Sequence, residues 1–181
     1  MVNFVMLLFV GLFADEKKQA YNGGFLTDQR GKYVFMYEGK IVLPEGHDFS
    51  LVICDFFRKK PAVLAEEKCL SVNGAERLSN HAAIGHYVAG DVLYRLVFEK
   101  TTEGYRYWFT DLAYQPYIKD RYGKLVKASV APVPLEKEFS KLNKAAWASR
   151  RKSAYEAIRR VSEEWNTHLE NIGRPRVIEI P

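Results

Sequence analysis

The sequence predicts an α+β two-layer sandwich. Its order is β-α-β-β-β-β-α: a five-stranded antiparallel sheet with two helices on one face, the C-terminal helix being long. Three observations predict it. Phe49, Val52, Ile53, Phe56 and Phe57 are spaced i, i+3, i+4, i+7 and i+8, one face of a helix. Ala154, Ile158, Val161, Trp165, Leu169 and Ile172 form a second such stripe, which Trp147 extends. Between them lie runs rich in β-branched and aromatic residues, separated by turn signals. The chain has 181 residues, 48% of them hydrophobic, and a net charge of +5, which suits one domain with an ordinary core and excludes disordered, collagen-like and coiled-coil compositions.

Phe4–Ala14 reads FVMLLFVGLFA, an uncharged apolar run of eleven residues. A membrane span needs about 20. The length matches the apolar region of a signal peptide, so residues 1–14 are expected to be cleaved after export. Leu12 is larger than the usual small residue near the cut, and no Lys or Arg precedes the run. A misplaced start or an upstream truncation is the expected reason. The run is uncharged, so the mature chain keeps its +5, and no cysteine near Ala14 offers a lipid anchor. Residues 15–31 read as a polar linker with a turn at Asn22-Gly23-Gly24, residues 32–173 as the single domain, and 174–181 as a tail.

Tyr33–Leu43 is the first strand, stopped by Pro44-Glu45-Gly46. Asp48–Lys59 is the first helix. Asp48 caps its first turn, the basic Arg58, Lys59 and Lys60 suit the negative end of its dipole, and Pro61 ends it. Asn73-Gly74 is a strong type I′ hairpin signal and is expected to join strands at Val63–Val72 and Ala75–Val88. Ala89-Gly90-Asp91 makes the next turn, and Thr101–Gly104 joins Val92–Lys100 to Tyr105–Tyr117.

That last loop sets a register. Lys100 falls opposite Tyr105, Glu99 opposite Arg106, Phe98 opposite Tyr107 and Leu96 opposite Phe109. One face then carries Val92, Tyr94, Leu96, Phe98, Tyr107 and Phe109, and should meet Phe49, Phe56, Ile158 and Trp165 from the helices. The other carries Leu93, Arg95, Val97, Glu99, Arg106, Trp108 and Leu112. Ile118–Asn143 lacks periodicity and reads as a lid or packed loop, with room for a helical turn near Leu135–Leu142. Lys144–Ile172 is the long helix, closed by Gly173 and Pro175.

Three stretches resemble a bacterial family of exported domains of unknown function, number 4468: GKIVLPEG (Gly39–Gly46), DFFRKK (Asp55–Lys60) and LYRLVFEKTTEGYRYWFTDLAYQPY (Leu93–Tyr117). PLE (Pro134–Glu136) and a C-terminal helix carrying Trp147 add to them, so the likeness spans about Tyr33–Ile172. The helix from Asp48 departs from the family pattern, which usually carries more charge and a Leu-Tyr pair there. The resemblance implies a TBP-like fold. It supplies no activity or catalytic residue, and the fold's name describes shape, not DNA binding.

No catalytic or metal residues are assigned. His81 and His86 fall in one predicted strand, five apart, and so point to opposite faces; His47 and His168 stand alone. Cys54 and Cys69 can pair in an oxidising compartment, but two separate buried thiols are the plainer reading. Glu66-Glu67 and Glu163-Glu164 are adjacent carboxylates whose side chains diverge. There is no phosphate loop, nucleophile elbow or zinc-protease pattern, so no cofactor is expected. From Lys141 to Ile172 seven Lys/Arg stand against four Glu, read as a solvated helix face with Glu156–Arg160 as an i,i+4 pair.

One feature stands above this background. On the mixed sheet face Arg95, Arg106, Trp108 and Leu112 combine an aromatic with arginines, the composition enriched in binding hot spots. The expected function is a non-catalytic binding or interaction domain, exported to the periplasm or cell surface of a bacterium. Its partner would be an envelope protein or surface ligand, with no nucleic acid and no transmembrane helix in the mature chain. The alternative is a carrier holding a small apolar ligand between sheet and C-terminal helix under the Ile118–Asn143 lid.

Overall fold

The computed structural model describes residues 24–39, 48–60, 64–65, 71–82, 85–102 and 104–173. Within them the chain forms β1 (Leu26–Thr27), β2 (Tyr33–Gly39), α1 (Phe49–Arg58), β3 (Leu64–Ala65), β4 (Ser71–Ala82), β5 (Gly85–Lys100), β6 (Tyr105–Lys119), β7 (Leu125–Lys127), β8 (Val133–Pro134) and α2 (Lys141–Gly173). The expected α+β class with a large antiparallel sheet and a long last helix is present. Among the described residues the sheet has eight strands rather than five: β1-β2-β6-β5-β4-β3 in order, with β7 and β8 also paired to β6. The signal-peptide stretch 1–14 and the tail 174–181 lie outside the described residues.

α1 starts where its chemistry says it should. The Asp48 carboxylate accepts the backbone N–H of Ser50 at 2.8 Å, and Arg58 occupies the last turn. Both helices pack on one face of the sheet. Phe98 meets Phe49 and Phe57 from α1 and Trp165 from α2. Phe56 lies on Trp165 and His168 rather than on the sheet, and Phe57 takes the inner place. Further along α2, Tyr155 meets Phe25 and Phe35, and Trp147 meets Tyr114 and Phe139. Of these rings Phe25, Phe57, Phe98, Tyr114, Trp147 and Trp165 are buried, and each contributes roughly 1.5–3 kcal/mol. On the outer face of α2, Arg159 bridges Glu156 at 3.1 Å and Glu163 at 3.0 Å, in place of the expected Glu156–Arg160 pair.

A polar cluster interrupts this apolar contact. The Tyr107 and Tyr105 hydroxyls each donate to Asn166 Oδ1 at 3.1 Å, and the Tyr107 hydroxyl also lies 2.6 Å from Ser162 Oγ. Burial pushes both phenols well above their ordinary pKa. They stay neutral donors, so the cluster satisfies groups that would otherwise be costly inside.

The β5–β6 register is the expected one from Lys100↔Tyr105 through Leu96↔Phe109, and Glu99 lies 2.8 Å from Arg106. It then slips. Arg95 pairs with Thr110 but Leu93 with Ala113, so Tyr94 faces two residues, Asp111 and Leu112. This is a β-bulge, and Asp111 has the left-handed φ of 51° that a glycine often holds in one. Lys32 donates to the Asp111 carboxylate at 2.7 Å.

Other expectations are corrected. Asn73-Gly74 is no turn but lies inside β4, where Asn73 pairs with Arg95 and Gly74 with Tyr94. A Cβ on Gly74 would overlap the Tyr94 ring, so this glycine makes room for an aromatic across the strand. Ala89-Gly90-Asp91 likewise lies inside β5; Leu78 pairs with Gly90 and Ser79 with Val88, leaving Ala89 as the extra residue. Residues read as polar linker contribute β1 and Phe25, which is buried against Tyr33 and Tyr155. The Ile118–Asn143 stretch is no lid. It prolongs β6, returns as β7 and β8 along the same strand, and buries Leu135 fully. Cys54 is disulfide-bonded, against the reading of separate thiols, while Cys69, the chain's other cysteine, lies outside the described residues. α1 packs beside β3, a tertiary proximity that residue spacing does not reveal.

One five-residue turn occurs twice. In Asp28–Lys32 and in Asp120–Lys124 the first Asp carboxylate accepts backbone N–H bonds from the third and fifth residues, at 2.8–2.9 Å. A glycine with positive φ holds the fourth place, Gly31 at 74° and Gly123 at 77°. The Asp28 carboxyl is partly buried, which alone would raise its pKa, yet these N–H bonds and Arg30 hold it below the ordinary value.

Candidate functional site

Three of the four sequence-predicted site residues share the sheet face turned away from the helices. Trp108 lies between Met36 on β2 and Val97 on β5. Arg106 lies one step along, between Glu38 and Glu99, and pairs with the Glu99 carboxylate at 2.8 Å. Arg95 donates from Nε to Ser71 Oγ at 2.9 Å. Arg95 is exposed, and Trp108 and Arg106 are half-buried. Ser71 and Thr110, on the same face, are buried.

Leu112 is the correction. It is 1% exposed and belongs to the helix-facing core. The extra residue at Asp111 shifts the alternation, so inward positions run Tyr105, Tyr107, Phe109 before the bulge and Leu112, Tyr114 after it.

Sequence reasoning missed a second polar cluster on this outer face. The Asp91 carboxylate, 7% exposed, lies 3.7 Å from Arg77 Nε and 3.5 Å from Lys127 Nζ, and accepts the Tyr117 hydroxyl at 3.1 Å. Arg77 donates to the Tyr117 oxygen at 3.2 Å and lies over its ring. The sequence reading puts Asp91 in a turn. Placed in a strand opposite Arg77, the same residues would have read as a cross-strand ion pair.

The helix side offers different chemistry. Lys60 Nζ reaches the Glu164 carboxylate at 2.6 Å and Glu76 at 3.9 Å. Burial raises the Glu76 carboxyl above its ordinary pKa, with Lys60 opposing. Burial, then Lys59, lowers the His168 imidazole. An open groove of about 510 Å³ runs between Phe56 and the Arg160–Asn171 stretch of α2, on the helix's outer side. His81 and His86 are Cα partners across the β4–β5 hairpin, not two residues of one strand, so their assumed divergence falls with the strand assignment. His47, Glu66, Glu67 and Cys69 lie outside the described residues. Among the described residues no three His, Cys, Asp or Glu come together to hold a metal ion.

The chain is similar in structure to a DUF4468 family protein from Bacteroides ovatus, at 12% sequence identity and a TM-score of 0.42, over 89% of this chain and 99% of that one. The family named there is the one that the stretches Gly39–Gly46, Asp55–Lys60 and Leu93–Tyr117 resemble. No family model matches the chain, and no curated protein matches it.

Proposed function

We propose that this chain is an exported, non-catalytic binding or interaction domain whose outer sheet face meets an envelope protein or surface ligand. The reading rests on one observation: Trp108 lies in a row with Met36 and Val97, flanked by Arg106, on the face opposite the helices. An aromatic beside arginines on a rigid sheet loses little entropy on binding, which is why such residues dominate interfaces. The disulfide at Cys54 supports export, because disulfides persist in oxidising compartments. A TBP-like arrangement of the central strands belongs to the same proposal. The carrier alternative is less well supported. Where α2 crosses the sheet, Trp165, Tyr107, Phe109, Phe57 and Ile158 fill the space and are fully buried.

Capture from the native envelope fraction tests the reading. Wild-type domain should retain a partner that Trp108→Ala and Arg95→Ala both lose. Equal capture by all three would remove the outer face as the site. Sequencing the N-terminus of protein made from the full chain tests export, with a mature start near Asp15 expected and an uncut cytosolic product overturning it.

A further inference from the structure

Six large hydrophobic side chains are exposed among the described residues, and four of them, Ile118, Tyr122, Leu125 and Val130, belong to the β6–β7 hairpin and its exit. That hairpin projects. β6 makes its last pair with β5 at Pro116, and Tyr117–Lys119 pair with β7 alone among the described residues. Its tip is rigid and basic. The Asp120 carboxylate accepts the N–H groups of Tyr122 and Lys124 at 2.8 and 2.9 Å, and Gly123 turns the chain at φ 77°. Lys119, Arg121 and Lys124 are all exposed, against the single acid Asp120 in the hairpin, while Lys127, also exposed, faces Asp91. The Arg121 guanidinium stacks 4.7 Å over the ring of Tyr122, which is 78% exposed.

We propose that this hairpin docks on an anionic lipid surface, with Tyr122 leading into the headgroup zone and Lys119, Arg121 and Lys124 meeting lipid phosphates. Clustered exposed apolar side chains mark an interaction site. Tyrosine beside long basic side chains is the composition of the membrane interface, where apolar stems sink and charged heads stay with the headgroups. Shape favours lipid over an acidic protein. A narrow tip cannot supply the roughly 800 Å² per partner of a standard protein interface. It can enter a headgroup layer by about 5–10 Å. The site lies beyond Pro116, at the far end of β6 from Trp108, and does not depend on the Trp108 row.

Co-sedimentation of the full chain with vesicles tests the proposal, using phosphatidylcholine alone and phosphatidylcholine with about a third phosphatidylglycerol. The Phe4–Ala14 run is common to all variants, so the preference for anionic vesicles and its change on mutation are what is read. Wild type should prefer the anionic vesicles, and about 0.5 M salt should erase the preference. K119Q/K124Q should weaken binding roughly 25-fold, about fivefold per lysine. Y122S/L125S should also lose vesicle binding yet keep any affinity for heparin, a soluble polyanion without an apolar phase. Trp108→Ala should bind vesicles as wild type does, even if that variant loses its captured partner. The proposal is overturned if wild type shows no preference for anionic vesicles at low salt. It is equally overturned if Y122S/L125S binds them as tightly as wild type, which would mark a polyanion or acidic-protein surface instead.

Discussion

The β5–β6 hairpin has two ends that obey the same alternation and give opposite outcomes. At the Lys100–Tyr105 end, the ion pair between Glu99 and Arg106 and the aromatics Phe98 and Tyr107 agree on one register, and the strands adopt it. At the Leu93–Ala113 end, a single extra residue turns over every side chain that follows. Alternation therefore carries information along a strand only up to the first bulge. Past Asp111 an assignment by parity is reversed rather than blurred, which is how Leu112 moves from expected surface to core.

Mutations can break or sharpen this contrast. The largest effect belongs to the regular end. Phe98→Ala or Phe109→Ala should cost about 3–5 kcal/mol in a denaturant melt, a large part of the roughly 5–15 kcal/mol that holds a domain together. Leu112→Ala should cost about 2–5 kcal/mol. An unbulged strand would leave that substitution nearly silent, so a loss below about 0.5 kcal/mol would refute the bulge. Asp111→Val tests the bulge directly, since a β-branched residue at positive φ should lose about 1–2 kcal/mol. Asp111→Gly should lie within about 1 kcal/mol of wild type, because relief of the backbone offsets the exposed Lys32 ion pair. The smallest effect is expected from Trp108→Ala, at about 1 kcal/mol or less. If it proves as damaging as Phe109→Ala, the Trp108 face is structural and the proposed binding site fails.

What was legible follows the same logic. The two helices, the Asp48 cap and the register at Glu99–Arg106 come from local periodicity and short-range charge, which depend on neighbours in sequence. Gly74 and Gly90 look like turn residues and are not, because a glycine serves two purposes that one sequence does not separate: freedom at a turn, or space for a ring across the sheet. The Asp-x-x-Gly-Lys turn was legible in principle, since Asp28–Lys32 and Asp120–Lys124 share the same spacing and the same bonds. Of the candidate site, Arg95, Arg106 and Trp108 were reachable because they precede the bulge on β6 or lie on β5. The Asp91 cluster was not, because its four members come from β4, β5, β6 and β7 and meet only once all four strands are in place.

The Tyr105–Tyr107–Ser162–Asn166 cluster also settles where α2 lies along its own axis. A slide of one turn, about 5.4 Å, would already put Leu169 or Val161 where the Trp165 ring now meets Phe57 and Phe98. The hydroxyls forbid it as well. Such a slide would carry Ser162 and Asn166 out of reach and strand two buried phenols. The shape of the Trp165 contact and these few polar atoms thus agree, the hydroxyls acting as an index mark that seats the helix at one notch.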